Sequence, residues 1–252
     1  KTIKIYDTLF SHAKYSTDFQ DSKYIKWDRN LKESDICFYT DTSLNLIQDF
    51  KKLHKKNYAW ILESPEITKF SYDWIRNNNY FFDQVFTHNK KLLDRGENFI
   101  FNPTGGCWIK PEDQKIYDKT KLVSIISSAK KQTFGHNLRH QVIYNMKELD
   151  IYGRGYNPIE YKLEALKDYM FSVTIENCKE DYYFTEKLID CFRTGVVPIY
   201  WGCPSIGNFF NIKGMIIIND VTEFFNLKLS EEKYIEMLPY IIDNFEKSEK
   251  YI

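Results

Sequence analysis

Glu176-Asn177 and Thr185-Glu186-Lys187 form the densest group of chemistry-bearing side chains in the sequence. The apolar run Phe171 to Ile175 reads as a buried strand that delivers the first pair at its carboxyl end. Thr185 is suited to cap a helix that carries Glu186 and Lys187 on its first turn. The open N–H groups of such a helix start, reinforced by the charge of Lys187, suit a diphosphate. An ordinary strand–helix–strand unit, with Glu186 and Lys187 merely solvating a helix start, is the alternative reading. Gly195 would end the helix as a left-handed cap, and Val196 to Trp201 would form the next strand.

Three further groups could carry chemistry. Ser127-Ser128, followed by Lys130, Lys131 and Arg139, repeats the pattern of a strand end leading into a helix, and the Arg139 guanidinium could fork two phosphate oxygens. A solvated basic face is the competing account. In Trp60-Ile61-Leu62-Glu63-Ser64-Pro65 a carboxylate arrives at the end of a buried strand, just before a proline-fixed turn. Half desolvated there, Glu63 could act as a general base, or it could simply be a charge near a helix start. Gly153-Arg154-Gly155-Tyr156 could bring backbone close to a base or ribose, or be a plain turn, since it lacks the G-x-G-x-x-G spacing.

Absences narrow the chemistry. No two Asp are separated by a single residue, so the metal-binding Asp-x-Asp of many nucleotide-sugar enzymes is missing and metal-free catalysis is expected. No Walker-type loop appears, which argues against an ATPase. His12, His54, His88, His136 and His140 show no metal-ligand spacing and read as surface or core histidines. The five cysteines, Cys37, Cys107, Cys178, Cys191 and Cys203, are odd in number and never spaced C-x-x-C, so free thiols in a reducing cytoplasm are expected. Lys and Arg number 35 and Asp and Glu 35, a balance that argues against nucleic-acid binding. No apolar run approaches the ~18 residues of a membrane span and no signal peptide opens the chain, although it starts at Lys1 and an upstream anchor could have been trimmed. The Lys- and aromatic-rich stretch Lys51 to Tyr58 is compatible with peripheral membrane contact.

The elements that must position these groups alternate. Strands are expected at Ile3–Tyr6, Ile36–Tyr39, Tyr58–Leu62, Phe82–Phe86 and Phe99–Phe101, with a helix through Leu44, Ile47, Phe50 and Leu53 and a short one at Lys90–Leu93. Asn102 to Lys119, with two prolines and adjacent glycines, reads as an interdomain linker. Beyond it come a strand at Leu122–Ile126, a helix from about Asn137 to Met146, the strand Asp150–Tyr152, the stretch already described, the strand Met215–Ile218 and a helix from about Ser230 that Pro239 should kink. This is an α/β chain of two similar halves, residues 1–110 and 120–252, with parallel sheets and a crevice where strand ends meet.

The run IENCKEDYYFTEKLIDCFRTGVVPIYWGCPSI resembles the signature of glycosyltransferase family 10, the alpha-1,3/1,4-fucosyltransferases. ILESPE, SIISSAKKQTFGHNLR and DIYGRG resemble further segments of that family, while Ile175, Cys178 and Phe184 depart from its pattern and the first third matches poorly outside ILESPE. The resemblance implies a GT-B arrangement of two facing Rossmann-like domains, the first on the acceptor side and the second holding the GDP-sugar donor. It implies that Arg139 and Lys187 neutralise the diphosphate and act in catalysis, and that Glu176, Asn177, Tyr183, Thr185 and Glu186 surround the donor. Glu63 would be the catalytic base of an inverting transfer from GDP-fucose to a glycan hydroxyl, with no metal or other cofactor. A transferase of another GDP-sugar, an inactive nucleotide-sugar-binding module, and a nucleotide-sugar hydrolase or epimerase are the alternatives; the last would want a carboxylate pair or a cofactor loop that the sequence does not offer.

Overall fold

The computed structural model describes residues 1–9 and 24–252; His12 lies outside them. The chain divides into two compact units, Lys1–Thr104 with Asp181–Tyr183, and Gly105–Glu180 with Phe184–Ile252.

The first unit contains β1 (Thr2–Tyr6), β2 (Lys26–Asp28), β3 (Ser34–Thr40), α1 (Ile47–Phe50), β4 (His54–Ile61), α2 (Lys69–Asn78), β5 (Gln84–Thr87), α3 (Lys90–Leu93) and β6 (Phe99–Phe101). Its sheet runs in the order β2-β1-β3-β4-β5-β6, every neighbouring pair parallel. Parallel strands need crossover connections that cover the faces of the sheet, so the central strands become apolar on both sides. Cys37, Tyr39, Ala59, Ile61 and Val85 accordingly share one core with Ile47 and Ile75 from the helices.

The helix expected through Leu44 to Leu53 is instead a broken path, with 3₁₀ turns at Asp41–Leu46 and Lys51–Leu53 flanking the single turn of α1. Asp41 enters it with a left-handed φ of 37°, which an α-helix does not allow. The sequence reading named neither β2 nor α2. The first is a three-residue edge strand, and the second has a polar sequence, KFSYDWIRNN, that buries only Ser71, Tyr72 and Ile75.

The second unit contains β7 (Lys121–Ile126), α4 (Phe134–Asn145), β8 (Asp150–Tyr152), β9 (Tyr169–Ile175), α5 (Glu186–Arg193), β10 (Val197–Trp201), β11 (Ile216–Ile217), α6 (Val221–Phe225) and α7 (Glu231–Ser248). The strand order is β11-β10-β9-β7-β8, again parallel throughout. All residues of β9 and β10 are buried, as expected of strands covered on both faces. Helix α7 runs through Pro239 in one continuous element. The segment expected to be a linker is packed from Gly105 onward into this unit: Cys107 and Ile109 are each 1% exposed and join its core. Its prolines and glycines punctuate the chain without loosening it, because two apolar side chains anchor the stretch between them.

Candidate functional site

The site of the second unit is built where β9 hands over to α5. Strand β9 ends at Ile175, and Glu176 follows with its carboxylate wholly buried. Glu176 Oε1 accepts the Thr185 backbone N–H at 2.9 Å and Oε2 accepts the Thr185 hydroxyl at 2.7 Å. Lys187 Nζ lies 3.4 Å from the same carboxylate, 2.9 Å from Thr185 Oγ1 and 3.6 Å from Glu186. The Thr185 side chain in turn accepts the Lys187 N–H as the N-cap of α5. Thus the anion nearest to the cap of this helix is a carboxylate of the chain itself.

Close backbone approach makes this packing possible. A Cβ at Gly135, near the start of α4, would fall 1.8 Å from the Glu176 carbonyl oxygen, and one at Gly202, just after β10, 2.6 Å from Glu176 Cγ. Both positions require the missing side chain, so α4 and the end of β10 can close around Glu176.

Arg139 on α4 lies beside this junction. Its Nε and Nη2 donate to the Ile175 carbonyl at 3.0 and 2.6 Å, and Nη2 donates to Asn177 Oδ1 at 3.0 Å. Two bonds from one face of the guanidinium to one carbonyl fix its plane. Helix α4 starts from a capping box in which Thr133 and His136 bond reciprocally. Burial, then the positive charges of Arg139, Lys130 and Lys187, push the His136 pKa down to about 4, so the ring is neutral and the surroundings are electropositive.

A cavity of about 240 Å³ opens here, lined among others by Ser127, Arg139, Arg154, Lys162, Glu186 and Lys187. Lys162, which the sequence reading did not single out, donates to Asp190 Oδ2 at 2.8 Å and to Glu186 Oε1 at 3.2 Å. Asp190 also accepts the Trp108 backbone N–H at 2.7 Å. Burial disfavours each of these charges, but Asp190 and Glu186 outweigh it for Lys162 and hold the ammonium on. For Glu186, likewise, Lys187 and Lys162 prevail over burial and hold the carboxyl well below the usual range. For Asp190 burial prevails and its carboxyl is raised. Asp190 sits one helical turn after Glu186, a spacing that could have marked it; nothing local marks Lys162.

Of the residues singled out in sequence, Ser127, Ser128, Arg139, Gly153, Arg154, Glu186 and Lys187 line this cavity. Glu176 and Thr185 form the internal lock beneath α5, and Asn177 holds Arg139. Tyr183 groups with the first unit, where its ring centroid is 4.8 Å from that of His88. Glu63, also in the first unit, is half-buried just past the end of β4. In the stretch read as compatible with membrane contact, Lys55 and Lys56 pair with Asp35 and Asp83. All five cysteines are free and buried. Among the described residues no helix is long and apolar enough to cross a membrane, and no three His, Cys, Asp or Glu gather to hold a metal ion.

The chain is built of two all-parallel α/β units, with a basic cavity at a strand–helix junction of the second, an architecture of the GT-B type. Over 99% of this chain and 88% of the other, the fold matches a crystal structure of an alpha1,3-fucosyltransferase with GDP, with a TM-score of 0.57 at 18% identity. A crystal structure of alpha1,3-fucosyltransferase with GDP-fucose matches at a TM-score of 0.56 and 17% identity over the same shares. In sequence the chain is 40% identical over 70 residues to an alpha-(1,3)-fucosyltransferase of Helicobacter pylori, 28% of this chain and 14% of that protein. It is 32% identical over 108 residues to alpha-(1,3)-fucosyltransferase B of Drosophila melanogaster, 40% of this chain and 24% of that one. The matched stretches therefore span less than a quarter of the length of these curated relatives. Residues 116–239, just under half of the chain, match the family described as glycosyltransferase family 10 (fucosyltransferase) C-term.

Proposed function

We propose that the chain is an inverting glycosyltransferase that moves fucose from GDP-fucose to a glycan hydroxyl without a divalent metal. The observation that carries this reading is the cavity where Arg139, Lys162 and Lys187 gather at the β9–α5 junction, inside the stretch that matches family 10. Fixed cations at that point can offset the charge that grows on GDP as its bond to the sugar breaks, the role a metal ion has in other sites. Arg139 and Lys187 would take the diphosphate, with Lys162 keeping the Glu186 carboxylate in place against ribose or sugar. Asn177 and Tyr183 remain proposed donor contacts, whereas Glu176 and Thr185 would support the donor by holding α5.

Glu63 would accept the proton of the acceptor hydroxyl as that oxygen attacks the anomeric carbon from the face opposite GDP. Inversion follows from a single displacement, and no covalent sugar intermediate is required. The half-buried setting of Glu63 is suited to a base, and the names of the relatives favour fucose over another sugar. Five buried free thiols suit a reducing compartment such as the cytoplasm.

Calorimetric titration with GDP-fucose, GDP, GDP-mannose and UDP in the presence of EDTA tests the donor reading. Binding of GDP and GDP-fucose but not UDP is expected, with fucose preferred to mannose. Equal binding of GDP-mannose would move the assignment to another GDP-sugar, and no binding of any guanine nucleotide would overturn it. A screen of oligosaccharide acceptors for GDP release then separates a transferase from an inactive binding module.

A further inference from the structure

Past the end of β4, Leu62 and Glu63 leave the sheet ladder, and their four backbone polar groups are taken up by three side chains. Asp41 Oδ1, at the carboxyl end of β3, accepts the N–H of Leu62 at 3.1 Å and that of Glu63 at 3.2 Å. Thr104 Oγ1 donates to the Leu62 carbonyl at 3.2 Å, and the Tyr72 hydroxyl of α2 donates to the Glu63 carbonyl at 2.7 Å. Behind them His88, fully buried, meets Tyr72 Oη with Nε2 and Thr104 Oγ1 with Nδ1, each at 3.3 Å. Burial pushes the His88 pKa down to about 3, so the ring carries one proton. Tyr72 and Thr104 each spend their hydroxyl proton on a carbonyl, so the single ring proton of His88 can be donated to only one of the two hydroxyl oxygens.

We propose that Asp41, Tyr72 and Thr104, braced by His88, form a backbone clamp whose task is to aim the side chain of Glu63, with Asp41 as its principal positioning residue. Backbone groups beyond a strand end are commonly left to water; here each is bound to a side chain, so the direction in which the Glu63 side chain leaves the backbone is set by the fold. Asp41 serves this end at a cost. It is 1% exposed, adopts a φ of 37°, and its Oδ2 is buried without a hydrogen-bond partner. A residue retained in a strained, half-satisfied state beside a candidate base is better accounted for by positioning than by stability. Burial, only partly countered by the Glu63 and Leu62 N–H groups, raises its carboxyl to about 8, so near neutrality Oδ1 acts as the carbonyl of a neutral acid, a geometry that asparagine reproduces.

This inference rests on Glu63 being the base, and the experiment separates the two. Amide hydrogen exchange of the intact chain is followed at Leu62 and Glu63 in the wild type, Asp41→Ala, Asp41→Asn and Tyr72→Phe. In parallel, kcat, KM and the GDP dissociation constant are measured with GDP-fucose and the acceptor found in the screen. Asp41→Ala should speed exchange at both amides at least tenfold and lower kcat by roughly 10- to 100-fold, the penalty of an ångström-scale misplacement, with the GDP dissociation constant unchanged. Asp41→Asn should restore both. Tyr72→Phe, which should fold even where Asp41→Ala does not, should lower kcat less. Wild-type amides at 62 and 63 that exchange as fast as those of open loops would overturn the clamp. Full kcat in Asp41→Ala alongside a dead Glu63→Gln would overturn the positioning role alone, whereas an active Glu63→Gln with slow exchange at 62 and 63 would overturn the base and leave the clamp standing.

Discussion

The backbone N–H and the hydroxyl of Thr185 both end on the buried carboxylate of Glu176, at 2.9 and 2.7 Å. One residue at the end of β9 thereby sets the start of α5, and through it the position of Lys187.

Removal of that carboxylate strands a buried N–H, a buried hydroxyl and a lysine ammonium. Glu176→Ala is expected to lower stability by about 3 kcal/mol, the usual cost of leaving one partner of a buried charged contact alone. Urea unfolding should show it as a reduced midpoint at unchanged slope, together with weaker GDP binding.

Lys187 and Glu63 should separate kinetically. Lys187→Ala is expected to weaken GDP binding and to lower kcat, because in the proposed role its ammonium would meet the diphosphate before and during bond breaking. Glu63→Ala should lower kcat with the GDP dissociation constant nearly unchanged. Similar losses of GDP affinity in both variants would remove the base role from Glu63.

Lys162 holds two carboxylates apart. Lys162→Met keeps most of the apolar stem and deletes its charge, leaving Glu186 and Asp190 to repel each other. A loss of about 3 kcal/mol in stability is expected, with weaker binding of GDP-fucose. Lys162→Met combined with Asp190→Asn should recover part of the stability, read by the same unfolding curves.

His136 should leave a mark on the pH dependence of stability. Its folded pKa of about 4 lies below the ordinary 6.5, so between those values the unfolded chain binds a proton that the folded chain does not. The stability it confers is present above pH 6.5 and is lost as the pH falls towards 4, by about 3 kcal/mol at most. His136→Gln, which preserves a capping box with Thr133, should flatten the melting temperature across this window. A slope unchanged from the wild type would assign the acid sensitivity elsewhere.

The sequence by itself determined the parallel α/β class, because β-branched and aromatic runs alternating with capped helical stretches admit few other architectures. It also marked Thr185 as a cap, and the cluster from Arg139 to Lys187, since these signals are local: a hydroxyl before a helix, a charge on its first turn, a strand end ahead of it. Only the tertiary structure decided that Glu176 faces inward to Thr185, that Lys162 joins Glu186 to Asp190, and that Asp41 grips Leu62 and Glu63. Each of these contacts spans residues from separate elements, and a carboxylate in a sequence carries no sign of whether folding will leave it in water or bury it against an amide. The packing of Cys107 and Ile109 teaches the same point from the other side. Prolines and glycines declare a turn, but what holds a turn in place is the core that its few apolar side chains reach.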